Sequence, residues 1–350
     1  MIKKEDSMNR RYFYLIAVNM VMVVLFSSVT FAASPYYEGK VIRLLVGVSP
    51  GGGFDTYART IARHMGKHIP GQPKIIVENM VGANHLIAAN YIYKVAKPDG
   101  LTMCHITGNL YLRQMFGVSG VEFDARKFVY IGAPIKEWDV VVLSKKRGVT
   151  SIDQWINSKT PVRMGATGHL GDIGSYVRII KATTGLPIDL IEGYKGTAEI
   201  RMAVESGELD GTVLMWDSAK ATWRNALEKG DVSVLFQMTP KPLPDIPNVP
   251  QLINLAKTDE SKKLIELGIH NLAIGMRPFA TSPGTPEEQK EILRNAFQKT
   301  MKDREFLAET EKARMGIDPL TGEELEKVVD SIFKSDPDLL AKLKKIISEK

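Results

Sequence analysis

The segment Ser49-Pro50-Gly51-Gly52-Gly53-Phe54-Asp55 sets three glycines between an aliphatic run and a helix-like pattern. Without side chains, the backbone there can come close to a ligand. The first N–H groups of the following helix have no intrahelical partner and carry the positive end of its dipole, so they favour an anion such as a carboxylate. Met80-Val81-Gly82-Ala83-Asn84-His85 is a second loop of this kind, and Gly165-Ala166-Thr167-Gly168-His169-Leu170-Gly171 a third. Each alone also reads as a tight strand-to-helix turn. Together, drawn from both halves of the chain, they read as the walls of one cleft. The spacing is neither GxGxxG nor GxxxxGK[ST], so a dinucleotide or nucleoside triphosphate is a poor fit.

Catalytic readings fare worse. His64 and His68 stand at i, i+4, but Arg63 and Lys67 flank them with no acid between, which reads as a solvated helix face rather than a metal site. Cys104 is the one cysteine, which excludes a disulfide framework within the chain, and mid-strand it reads as a small buried hydrophobe. His169 and Asp172 could pair, yet nothing nominates a nucleophile beside them. No cofactor, metal or catalytic residue is expected.

The elements that must position these loops alternate in type, the pattern of an α/β fold. Strand-like runs at 41–48, 74–79 and 101–107 alternate with helices at about 55–68, N-capped by Asp55, and from Gly82 to Val95. The alternation resumes from Lys145 to about Phe236, with helices at 175–184, 198–206 and 219–228. A proline-rich stretch, Pro240 to Pro250, precedes a mostly helical third, where Thr285-Pro286 and Thr321-Gly322-Glu323-Glu324 look like helix starts. The expected architecture is two lobes with two chain crossings, near Val140–Leu143 and Leu235–Thr239. Residues 33–142 and 236–350 form lobe 1 and 143–235 form lobe 2. Such folds bind ligands in the cleft at the carboxyl ends of the strands.

With 44% hydrophobic and 25% charged residues among 350, the chain can bury ample core. Lys3, Lys4, Arg10 and Arg11 precede an uncharged apolar run that closes on Thr30-Phe31-Ala32, the pattern of a signal peptide cleaved after Ala32. Without residues 1–32 the chain keeps 42 basic and 38 acidic residues, a mild +4. No basic stripe with interleaved aromatics is present, which argues against nucleic acid as a partner. The expected compartment is the periplasm.

The chain resembles the extracytoplasmic receptors of tripartite tricarboxylate transporters, also called Bordetella uptake gene proteins, from Tyr36 to about Phe333. The resemblance rests on the order of short signatures. These are Lys40-Val-Ile-Arg-Leu-Leu-Val with Pro50-Gly-Gly-Gly-Phe-Asp55; Val77-Glu78-Asn79 with Gly82-Ala83; Lys97-Pro98-Asp99-Gly100; Gly193-Tyr194-Lys195-Gly196; Gly207-Glu-Leu-Asp210; Leu243-Pro-Asp-Ile-Pro-Asn-Val-Pro250; and Pro283-Gly284-Thr285-Pro286.

The resemblance implies a monomeric, two-lobed (type II) periplasmic binding protein that closes on a small organic carboxylate. It would deliver that ligand to one large and one small membrane subunit. A sensor feeding a membrane kinase and an exported α/β enzyme are the rival readings. Carried over residue by residue, the ligand site comprises Ser49 to Asp55, Gly82 to His85, Ala166, Thr167 and Gly168, with residues near Tyr194 and Trp216-Asp217. The family usually has Thr where Phe54 stands, and a serine-rich segment where this chain reads Ala166 to Gly174. Those departures point away from a citrate-like ligand and towards a less polar or aromatic carboxylate. Protein recovered from periplasm is expected to begin at Ala33, which N-terminal sequencing or intact mass checks; membrane-bound material retaining residues 1–32 contradicts it.

Overall fold

A computed structural model describes residues 34–168 and 170–348, so residues 1–33, where the signal peptide is expected, His169 and residues 349–350 lie outside the described residues. The chain builds two sheets. The first comprises β1 (Val41–Val46), β2 (Lys74–Asn79), β3 (Thr102–His105), β4 (Val129–Ala133), β10 (Phe279–Thr281) and β11 (Leu320–Thr321), in the order β11-β4-β10-β3-β1-β2. The second comprises β5 (Asp139–Ser144), β6 (Val162–Thr167), β7 (Ile188–Tyr194), β8 (Gly211–Met215) and β9 (Val232–Met238), in the order β7-β6-β8-β5-β9.

β1 pairs in parallel with β2 and β3, and Leu44, Leu45 and Val46 are fully buried. A continuous aliphatic run suits a parallel strand covered on both faces. The first sheet also takes in two antiparallel strands, β10 between β3 and β4 and β11 at the edge beside β4, and the second takes in one, β5 between β8 and β9. The parallel strands β1, β2 and β6 send their carboxyl ends straight into the loops singled out above.

Helices α1 (Gly53–Met65), α2 (Leu86–Lys94) and α3 (Asn109–Met115) belong to the first unit. In the second, α4 (Ile152–Ile156), α5 (Asp172–Thr184), α6 (Thr197–Ser206), α7 (Trp216–Thr222) and α8 (Arg224–Lys229) follow. The apolar stripe expected on the first helix is present, with Ala58, Ile61 and Met65 fully buried. The helix expected over 219–228 is instead two short ones that meet at Trp223, whose backbone leaves the helical region and whose indole Nε1 donates to Glu205 at 2.7 Å.

The chain passes between the sheets twice, as expected, but not at the expected residues. Val140–Leu143 and Leu235–Met238 lie inside β5 and β9, so the first passage occupies residues 134–138 and the second follows Met238. The boundaries expected at 142/143 and 235/236 therefore shift. Nor does all of 236–350 stay with the first sheet. Helix α9 (Asp259–Ile265) and the terminal helix, numbered α13 after α10 (Glu287–Thr300), α11 (Arg304–Lys312) and α12 (Gly322–Ile332), both pack on α5. The reason is apolar: α13 (Pro337–Ser348) buries Leu343 and Ile347 on one face. Gly268 leaves the room for it, since a Cβ there would stand 2.9 Å from Leu343 and 2.7 Å from Ile179.

Helix starts were read with mixed success. Asp55 is not an N-cap: α1 begins two residues earlier, at Gly53, because Asp55 turns its carboxylate back onto the Gly51 N–H at 2.9 Å. Thr285 is not a cap either, for its hydroxyl donates to the Ser282 carbonyl at 2.8 Å and α10 starts at Glu287. At Thr321 the full capping box forms, with Glu324 N–H donating to the Thr321 hydroxyl at 3.2 Å and Thr321 N–H donating to the Glu324 carboxylate at 2.8 Å. Thr321→Ala is therefore expected to lower unfolding free energy by about 1 kcal/mol, read as an earlier midpoint in urea; an unchanged midpoint contradicts the assignment.

Candidate ligand-binding site

The two units face each other across a seam made largely of backbone. Gly52 and Gly196 sit where side chains would collide. A Cβ on Gly52 would stand 2.7 Å from Thr197 Oγ1, and one on Gly196 would stand 2.4 Å from Ser49 Oγ. Hydrogen bonds close the seam: Ser49 N–H donates to the Lys195 carbonyl at 3.4 Å, Arg201 Nη2 to the Gly51 carbonyl at 3.1 Å, and Asn109 Nδ2 to the Leu170 carbonyl at 2.9 Å. Behind the seam lies a partly open cavity of about 40 Å³, room for about three waters. The units therefore stand closed on it.

The first glycine loop reaches this cavity through Gly52, Gly53 and Phe54. Its left-handed residue is Gly51, with φ +84°; Gly52 has φ −86°, ordinary for any residue. What demands glycine at 52 is thus the approach of Thr197, not backbone conformation. Asp55 lies behind the loop, its carboxylate bonded by Arg59 Nε at 2.9 Å and Asn79 Nδ2 at 2.9 Å. Burial raises its pKa, but Arg59 and the Gly51 N–H outweigh that and hold it below the usual carboxylate range. Asp55 thus fixes the loop without lining the cavity.

The second loop is held in an unusual shape. Ala83, Asn84 and His85 have φ +44°, +48° and +66° in succession, and such residues cost about 1–3 kcal/mol each unless their surroundings enforce them. Here they are enforced. Arg113 Nη1 donates to the Ala83 carbonyl at 2.7 Å, His85 N–H donates to the Gly47 carbonyl at 3.3 Å, and Thr167 Oγ1 donates to Asn84 Oδ1 at 3.0 Å. The result pushes Asn84 and His85 into the cavity wall. His85 is buried beside Arg277 and Arg113, and burial first of all pulls its pKa down to about 3. Phe54 packs on His85 and His105 at ring distances of 4.6 and 4.8 Å.

Of the carried-over residues, the fold brings Gly52, Gly53, Phe54, Asn84, His85 and Thr167 to one cavity. Ser49, Pro50, Gly51, Asp55, Gly82, Ala83, Ala166 and Gly168 belong to the supporting loops rather than the wall. Tyr194 points elsewhere, donating its hydroxyl to Glu208 at 2.5 Å. Trp216 and Asp217 line a separate open groove with Lys220, and Trp216 Nε1 donates to Asp245 at 3.2 Å.

The sequence reading missed the charged groups of the wall. Arg277 is fully buried; its Nε donates to Glu137 and its Nη2 to Ser218 Oγ, while Nη1 has no partner. Its guanidinium carbon also lies 4.6 Å from the ring centres of Phe54 and Tyr57. Asp139, Asp172 and Tyr176 complete the polar lining. Arg277 sits in a Gly-Met-Arg-Pro-Phe stretch with no motif around it, but Asp139 was detectable as an acid heading the strand Val140-Val-Val-Leu143. His64 and His68 are not a solvated face: Nε2 of each meets an acid of the C-terminal part, Glu309 at 2.7 Å and Asp303 at 3.1 Å.

Compared with known proteins, the chain matches the family described as "Tripartite tricarboxylate transporter family receptor" over residues 57–349. It belongs to that family. A Bordetella pertussis protein of the UPF0065 group is 26% identical over 287 residues, covering 78% of this chain and 80% of that one. The periplasmic binding protein BugD superposes with a TM-score of 0.70 at 18% identity, covering 89% of this chain and 98% of that one. MatC from Rhodopseudomonas palustris, solved with bound malate, gives a TM-score of 0.68 at 17% identity, covering 88% of this chain and 99% of MatC. The family member described here is thus a solute-binding receptor with the periplasmic binding protein fold, not an enzyme. Among its described residues, no helix is long and apolar enough to cross a membrane.

The seam makes a sharp test possible. Gly52→Ala puts a methyl against Thr197 Oγ1 and is expected to weaken carboxylate binding by about tenfold or more, equivalent to about 1.4 kcal/mol. Thr197→Ala in the same chain removes the clash and is expected to restore affinity to that of Thr197→Ala alone. Calorimetry on the four proteins checks this cycle, and a Gly52→Ala variant that binds like the parent contradicts it.

Proposed function

We propose that this receptor captures a small organic carboxylate between its two lobes in the periplasm and delivers it to a membrane transporter of one large and one small subunit. The observation that carries the reading is Arg277. Arg277, a fully buried guanidinium with one nitrogen unpartnered, lines an interlobe cavity whose wall includes the start of α1 at Gly52–Gly53. A buried cation paired on one side only, beside helix-start N–H groups that have no intrahelical partner, is a place where an anion is stabilised by charge-assisted hydrogen bonds. The bound malate of MatC supports a carboxylate as the ligand class. The mature chain begins after Ala32 and acts as a monomer.

Closure follows from the same geometry. The lobes part about residues 134–138 and the stretch beyond Met238, and the ligand favours the closed form because only there does it touch both. Small-angle scattering is expected to show the radius of gyration falling when a binding carboxylate saturates the protein. An unchanged radius contradicts closure. Arg277→Lys keeps the charge but loses the planar fork, and is expected to weaken binding by about ten- to a hundredfold, the worth of one charge-assisted hydrogen bond. Calorimetry with a panel of small carboxylates reads this, after a melt confirms folding. Turnover of the bound compound, or parental affinity in folded Arg277→Lys, overturns the reading.

A further inference from the structure

The charges around the cavity do not balance for a purely anionic ligand. Glu137, Asp139 and Asp172 are all buried there, at 0%, 4% and 8% exposure. Among the described residues, the buried cations beside them are Arg277 and Arg113. Arg277 is committed to Glu137. Arg113 spends Nη1 on the Ala83 and Asn84 carbonyls, at 2.7 and 3.5 Å. Asp172 has partial compensation, because it opens α5 and its Oδ1 accepts from Ile173 N–H at 3.0 Å and from Asn84 Nδ2 at 3.4 Å. Asp139 has no such help.

Asp139 Oδ2 is buried without a hydrogen-bond partner, and so is the hydroxyl of Tyr176. Both residues line the cavity with Asp172. A buried carboxylate oxygen left unpaired is costly, and native proteins resolve it with a partner. Here the residue that carries the unpaired oxygen lines the cavity. Burial, then repulsion from Glu137 and Asp172, pushes the pKa of Asp139 well above the carboxylate range. This is the response of a group that lacks a counter-charge. A second carboxylate placed against it would worsen that deficit, whereas a cationic N–H group would relieve it.

We propose that the ligand is an amino carboxylate, its carboxylate held at Gly52–Gly53 and Arg277 and its ammonium group held by Asp139 and Asp172 with the Tyr176 hydroxyl. This rests on the receptor reading above. Val48, Phe54, Ile173 and Val213 give the wall an apolar stretch, which suits a short carbon chain between the two charged ends.

The test uses matched pairs in which one carboxylate is exchanged for an amine: succinate against 3-aminopropanoate, glutarate against 4-aminobutanoate, and adipate against 5-aminopentanoate. Each is titrated into the full mature protein by calorimetry at neutral pH. The parent is expected to bind at least one amino carboxylate tenfold or more tighter than its dicarboxylate partner. Asp139→Asn, of nearly the same shape, is expected to lower amino-carboxylate affinity by tenfold or more and raise that of the matched dicarboxylate, collapsing the preference. Asp172→Asn is a second variant should the first fold poorly. Tighter binding of the dicarboxylates by the parent overturns this inference and leaves the carboxylate receptor standing. Binding of neither class overturns both.

Discussion

The buried ion pair between Arg277 and Glu137 is the contact on which the site depends. Both partners are fully buried, and the guanidinium reaches from the segment before β10 to Phe54 and Tyr57 on α1 and to Ser218 on α7. One cation thus touches the first unit, the passage between the units, and the second unit. A buried pair is seldom worth much against an apolar replacement, but loss of one member leaves an uncompensated charge and costs about 3–5 kcal/mol. The pair is therefore better understood as a specifying contact than as a stabilising one. It sets where α1 begins relative to the hinge, and with it where the glycine loop stands.

Around that centre the molecule divides its labour between rigid supports and bare walls. Asp55, Arg59 and Asn79 lock the first loop from behind, and Arg113 does the same for the second. The side chains that do this work mostly stay out of the cavity. The left-handed run at Ala83–His85 persists because Gly47 lets the loop lie flat against β1; a Cβ at Gly47 would meet His85 Cα at 2.5 Å.

Much of this was legible in the sequence, and the reasons are physical. Aliphatic runs ending in glycine loops announced the parallel strands, because hydrophobic patterning and turn chemistry are local signals. The loops at 51–53, 84–85 and 167 were found for the same reason. The family signatures ordered them correctly. What escaped was non-local. Arg277 owes its role to Glu137, 140 residues earlier, and no pattern in its neighbourhood records that pairing. The terminal helix falls in the stretch expected to be helical, but its partner α5 lies far back in the chain. Asp55 misled because an acid before an apolar stripe looks like a cap whether it bonds forward or backward. His64 and His68 misled likewise, since their acidic partners come from Asp303 and Glu309.

The glycine seam has a kinetic side. Interfaces whose side chains interlock must repack rotamers before they separate, which adds a barrier to opening. Gly51, Gly52 and Gly196 meet the opposite unit with nothing to interlock, and the bonds across them are few. At these glycines, opening requires no rotamer change; what must break are the side-chain bonds of Arg277, Thr167, Asn109 and Arg201 with the opposite unit.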